Sequence, residues 1–411
     1  MQDVLILKNA VIFDGVNEEP LRGKSLVIAD GKIDAICDGE AVCTGDVRII
    51  DLDGAFVSPG FIDCHMHMLL DEVPADKNRT LSTMSAGGEL YPNADSAAAF
   101  LGVDNCRKML EAGFTTVMDG GGRNFIDCAL REAIQKGFVP GPNYLISGKQ
   151  LTTNKAHFIG FSLEPYGPYG MRKAIRDLMW WSVDFVKMQL SPPIRMVGRN
   201  SNATDFTVEE ITAAIDEAHN YGTPVHAHLR GAQSIKNFLY AGGDVVVHGT
   251  GIDDEGIELM LKHGKIMLPT LLSPSPSPSK EMLANKTQAV IDLLAKTAQV
   301  HWESARRAYK AGVTMAFSTD CGTLGNHIGT NALEFENLVA IGMSNVEALR
   351  AATSVAARVT GREDRIGRIL PGYQADITVL GSSPLENIKA TSDVRMALVN
   401  GRIMYNRAWA K

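Results

Sequence analysis

The chain has 411 residues, 45% of them hydrophobic, with a formal net charge of −7 and a pI near 5.8. That length suits a barrel of about 250 residues beside a smaller domain, and the apolar share is enough for a large core. The acidic balance and the lack of a Lys/Arg cluster argue against nucleic acid as a partner, and no apolar run reaches the roughly 18 residues that cross a bilayer.

The N-terminal stretch Met1-Gln2-Asp3-Val4-Leu5-Ile6-Leu7 has no basic region or cleavage site, so it reads as a strand and not as a signal peptide. Short apolar runs follow at 4–7, 11–13, 25–29, 32–36 and 48–52, with Asp14-Gly15, Asp30-Gly31 and Asp38-Gly39 as turn signals. The far end behaves alike, with runs at 377–380, 394–399 and 402–405 and an Asn400-Gly401 hairpin signal. Neither end alone supplies a sheet core. Together, 1–57 and 367–411 are expected to form one small β-sandwich domain around an inserted barrel at 58–366.

The middle alternates strand and helix. Counting 57–64 as the first strand, buried parallel strands are expected at 115–118, 144–147, 185–189, 224–228, 245–248, 266–270 and 314–318. Thr207-Val208-Glu209-Glu210 and Ser344-Asn345-Val346-Glu347 read as capping boxes opening helices. In the first of these helices Val208, Ile211, Ile215 and Ala218 repeat on one face and Gly222 closes the segment. Eight alternations predict an α/β fold, a (β/α)8 TIM barrel. A doubly wound open sheet is the second choice, and no GxGxxG loop supports it. The loop Ser273-Pro274-Ser275-Pro276-Ser277-Pro278-Ser279 follows the seventh strand and either borders a site or is an extended linker. The cysteines Cys37, Cys43, Cys64, Cys106, Cys128 and Cys321 form no CxxC pair and read as reduced thiols of a cytoplasmic protein. Cys64 and Cys321, beside the motifs below, read as small apolar fillers.

Residues able to bind metal fall at the ends of strands one, four, five, six and eight. His65-Met66-His67 closes the first, and alternation puts both imidazoles on one side. Lys187 ends the fourth, either as a salt-bridged rim lysine or as a carbamate formed with CO2, an anion able to bridge two metals. His226-Ala227-His228 ends the fifth, His248 the sixth, and Asp320 follows the eighth in Ser318-Thr319-Asp320. All lie on the rim where barrel enzymes keep their chemistry.

This set, with Pro59–His67 leading in and the tail from Asp364 to Ile377, resembles the amidohydrolase superfamily over nearly the whole chain. Within it the chain is similar to the imidazolonepropionase-like or prolidase-like branch, which includes Xaa-Pro and Xaa-Arg dipeptidases, ochratoxin amidases and phenylurea hydrolases. The resemblance implies two divalent ions, zinc by expectation, and a homo-oligomeric assembly. It implies that His65, His67 and Asp320 hold the first ion, His228 and His248 the second, and a CO2-derived carbamate on Lys187 bridges them. His226 is then structural and deeper in the barrel. Two positions depart from the branch: Arg230 stands where a Tyr is usual, and Lys155-Ala156-His157 replaces Gly-Gly-His.

The implied reaction is attack of a metal-bridging hydroxide on an amide carbonyl of an N-acyl amino acid, dipeptide or ochratoxin-like compound. Asp320 would carry the proton, His157 would polarise the carbonyl, and Arg230 would pair with a substrate carboxylate. Arg199 and Lys155 are weaker candidates for that anchor. A carbamate or phenylurea hydrolase with the same site is the alternative. A deaminase ranks below these, since Gly231 stands where its Glu is expected, and a silent scaffold ranks below too, since no ligand is missing.

Overall fold

The computed structural model describes residues 4–39, 47–70, 72–73, 84–85, 93–153, 160–192, 202–284, 286–323 and 325–409. Its middle is a (β/α)8 TIM barrel. The strands are Phe61–Met66, Phe114–Asp119, Asn143–Ile146, Val186–Gln189, Val225–Arg230, Val245–Thr250 and Ile266–Leu268. Strands one to three pair in parallel, as do strands four to seven. The third meets the fourth through Asp184, whose amide donates to the Ile146 carbonyl at 2.8 Å and whose carboxylate accepts from the Ile146 amide at 2.9 Å.

The eighth strand differs from the sequence expectation of a regular run at 314–318. Only Met315 makes a bridge, to Met267. The segment still closes the barrel, because its backbone divides its hydrogen bonds between both neighbours. Met267 donates to the Thr314 carbonyl and accepts from the Ala316 amide, while Cys64 donates to the Phe317 carbonyl. A segment that alternates partners so quickly builds no continuous ladder on either side.

Every residue of the regular barrel strands except Asn143 is buried, which is why they read as apolar runs. Helices cover the outside. The helix Val208–Asn220 carries the expected capping box on Thr207 and buries Ile211, Ile215 and Ala218. Val208 is exposed instead, because a first-turn side chain leans back past the helix start. The helix Asn345–Ala351 is capped the same way by Ser344.

Both chain ends join in one eight-stranded sheet. Its long strand Val4–Ile12 changes partner midway, pairing with Val47–Asp51 through residues 4–8 and with Phe56–Pro59 through Val11 and Ile12. Asn9, at φ 56, sits at the switch, where the register to Leu21–Ala29 also slips. A bulge there lets one strand serve two layers. Leu7, Ile12, Leu26, Val57, Ile377 and Leu398 fill the core between them. Among the described residues, no helix is long and apolar enough to cross a membrane.

Candidate metal centre

The first barrel strand delivers His65 and His67 to the rim with ring centroids 5.2 Å apart. Their Nε2 atoms face a single oxygen, Oδ1 of Asp320, at 3.4 and 3.3 Å. Asp320 is held there by its own amide, which donates to the His65 carbonyl at 2.8 Å. Among the described residues this trio is the group whose ligand atoms converge as a metal site. Burial raises the Asp320 carboxyl, but the His65 and His67 hydrogen bonds outweigh it and hold the group well below the ordinary range, ionised.

Lys187 is fully buried, its Nζ 3.4 Å from His65 Nε2, and pairs with no carboxylate among the described residues. Among the described residues, no carboxylate forms the salt bridge of the alternative reading. Burial pushes its amine down to about 7, with the Asp320 charge opposing and the Arg230 charge assisting.

His228 and His248 form the second group. His248 Nε2 lies 2.8 Å from His228 Nδ1, and His248 Nδ1 lies 2.6 Å from Thr270 Oγ1. The His248 ring stands 5.8 Å from that of His65, which joins the two groups into one cluster. His248, Thr270 and Asp320 all adopt positive φ, at 70°, 49° and 57°. Non-glycine residues rarely do so, and such strain gathers where side chains must be aimed.

Register layers the inward side chains: Lys187 is level with His226, and Gln189 with His228. His226 thus lies one layer below His228, as the sequence places it, with its ring 4.5 Å from Phe185. Gln189 donates Nε2 to Gln150 Oε1, and its own buried Oε1 has no partner among the described residues. Above them, the Arg230 guanidinium is buried and donates to Thr250 Oγ1 at 3.2 Å and to the Ser273 carbonyl at 3.4 Å. Its Nε has no partner among the described residues, and burial brings its pKa down to about 10 against the Asp320 charge. Ser273 opens the Ser-Pro loop, so that loop does border the site. His157, Lys155 and Arg199 lie outside the described residues.

Three contributors escape sequence reasoning. Asp63 accepts from Thr319 Oγ1 at 2.6 Å, from Asn331 Nδ2 at 2.8 Å and from the His65 amide at 3.2 Å, tying the first strand to the eighth. Its signal was a carboxylate inside an apolar strand. Gly120 lies so close to His65 that an added Cβ would stand 2.3 Å from the imidazole Cε1. His301 lies on the buried face of the helix Gln288–Lys310 with Ala298, Ser304, Ala305 and Ala308, a helical spacing visible in the sequence.

The amidohydrolase family profile matches residues 56–404. Among curated relatives, the ochratoxinase of Aspergillus niger is 28% identical over 422 residues, covering 93% of this chain and 83% of that protein. Among solved structures, a Xaa-Pro dipeptidase with bound methionine in its active site is 26% identical, with a TM-score of 0.86 over 98% of this chain and 100% of the other. A prolidase complexed with N-methylphosphonate-L-proline is 27% identical, with a TM-score of 0.85 over 97% and 99%.

Proposed function

This chain belongs to the amidohydrolase family, hydrolases of carbon–nitrogen bonds, and on that premise we propose a binuclear metal-dependent amidase acting on N-acyl amino acids, dipeptides or related amides such as ochratoxin-like compounds. The observation that carries this reading is the convergence of His65, His67 and Asp320, with the Lys187 amine 3.4 Å from His65 and the His228–His248 pair alongside.

The residues present fit a metal. Imidazoles and carboxylates are donors suited to zinc and its neighbours. Two Nε2 atoms aim at one carboxylate oxygen, an arrangement that a cation between them would satisfy. Glycine at 120 leaves the room that the His65 ring occupies. In this reading His65, His67 and Asp320 hold one ion, His228 and His248 a second, and Lys187 as a carbamate joins them. The carbamate forms when the free amine adds to CO2 through a new N–C bond and loses a proton. When bound, the ions supply an activated water and polarise the scissile carbonyl.

The chain's own residues complete the chemistry. Asp320 directs Oδ1 at the imidazoles, leaving Oδ2 to accept the proton of the attacking water and return it to the departing nitrogen. Arg230, its Nε unpartnered among the described residues, receives a substrate carboxylate, for which a guanidinium is matched in shape and charge. His157 is assigned to the carbonyl oxygen.

A panel of N-acyl amino acids, dipeptides, aryl ureas and carbamates tests the reading. Release of a carboxylic acid and an amine is expected, fastest for amides bearing a carboxylate. Release of ammonia, or turnover of ureas and carbamates alone, would overturn it.

A further inference from the structure

Among the described residues, no acid holds Arg230. Its Nη1 donates to Thr250 Oγ1 at 3.2 Å, and Thr250 Oγ1 lies 2.9 Å from Nδ1 of His301. His301 comes from the long helix outside the barrel. Its other nitrogen, Nε2, lies 3.4 Å from the backbone carbonyl of Thr270.

The directions of these bonds follow from donor chemistry. A carbonyl only accepts, so His301 Nε2 carries the hydrogen. In a neutral imidazole Nδ1 must then accept, so the Thr250 hydroxyl donates to it. A guanidinium only donates, so Thr250 Oγ1 accepts from Arg230. Every bond runs one way: Arg230 to Thr250, Thr250 to His301, His301 to the Thr270 carbonyl. The same Thr270 places its hydroxyl 2.6 Å from Nδ1 of His248.

We propose that Thr250 and His301 are positioning residues that fix Arg230 as a carboxylate receptor at a set distance from the metal centre. The inference rests on the reading that Arg230 receives the substrate carboxylate, and it adds what selects among substrates. Thr270 anchors both the relay and a metal-side histidine, so the receptor and the centre share one support. Amides whose carboxylate stands at the matching distance from the scissile carbonyl are favoured. Because the relay uses neutral partners, it leaves the guanidinium charge unspent for the ligand, with Nε unpartnered among the described residues.

The test compares an N-acyl phenylalanine with its N-acyl phenethylamine counterpart, which lacks the carboxylate. Kinetics are measured on metal-loaded wild type, Thr250→Val, Thr250→Ser, His301→Phe, Arg230→Met and the double variant Arg230→Met/Thr250→Val. Removing the hydroxyl in Thr250→Val should raise KM for the acid about tenfold, the scale of a lost hydrogen bond to a charged group. Its kcat and the KM of the neutral analogue should stay within about twofold. Thr250→Ser should restore the acid KM, and the double variant should be no worse than Arg230→Met.

An unchanged acid KM in Thr250→Val, or equal changes for both substrates, would overturn the relay where Arg230→Met raises KM for the acid alone. If Arg230→Met shifts the KM of both substrates equally, or wild type does not prefer the acid, the carboxylate reading falls and the relay with it. Should His301→Phe fail to fold, the Val and Ser pair at 250 still decides the matter.

Discussion

The Lys187 amine lies 3.4 Å from Nε2 of His65, with no carboxylate partner among the described residues. A cation is expensive in such a setting unless it is neutralised or converted. This pairing joins strand four to strand one across the barrel, and it is where the two metal-binding groups would be linked.

Asp320→Asn separates proton transfer from binding. An amide keeps one oxygen for the imidazoles but cannot accept the proton. The expected outcome is a fall in kcat of about 10²–10⁴, the usual contribution of a positioned acid–base group, with a smaller change in KM. Steady-state kinetics on reconstituted protein checks this, and an unchanged kcat would remove Asp320 from the proton path.

Gly120→Ala tests the shaping of the centre. The new methyl would stand 2.3 Å from Cε1 of His65 and 3.4 Å from Cε1 of His67, so the first imidazole must turn away. Metal affinity should drop by roughly 10–100-fold, as when an outer-shell support is lost. Competition against a chelator measures it, and circular dichroism should show an intact fold. Wild-type affinity would mean that the ring position is not set by this contact.

Glu334 supplies a pH signature. It is fully buried, and burial drives its carboxyl up to about 8, although Asn337 and the Leu271 and Leu272 amides pull it down. The folded protein therefore keeps a proton that the unfolded chain releases above the ordinary Glu range near 4.5. This group's contribution is fully present below that range and is lost as pH rises toward about 8. Thermal melts from pH 5 to 8 should fall more steeply in wild type than in Glu334→Gln, whose side chain does not titrate. Parallel slopes would contradict the assignment.

The parts legible in the sequence are those set by local periodicity. His65 and His67 share a face because strand residues alternate, and Asn400-Gly401 turns between Val394–Val399 and Arg402–Asn406 with φ of 49° and 73°, as a tight hairpin requires. Lys187 showed itself as a charge closing an apolar run. The supports were hidden because they depend on contacts distant along the chain. Asp63 meets Thr319 across 256 positions, and Thr250 meets His301 across 51. The eighth strand was placed correctly as a segment, but its divided backbone bonding is a property of barrel closure that no local pattern carries.

Metal content per chain is the most direct test of the account. Wild type and Lys187→Ala, purified without chelator and with bicarbonate present, would be measured by elemental analysis beside amide hydrolysis on the same samples. Two divalent ions per wild-type chain are expected. Lys187→Ala is expected to lose the ion pair, with activity reduced about a hundredfold or more, equivalent to about 2.7 kcal/mol or more of transition-state stabilisation. A fully active Lys187→Ala protein with unchanged metal content would contradict the binuclear reading.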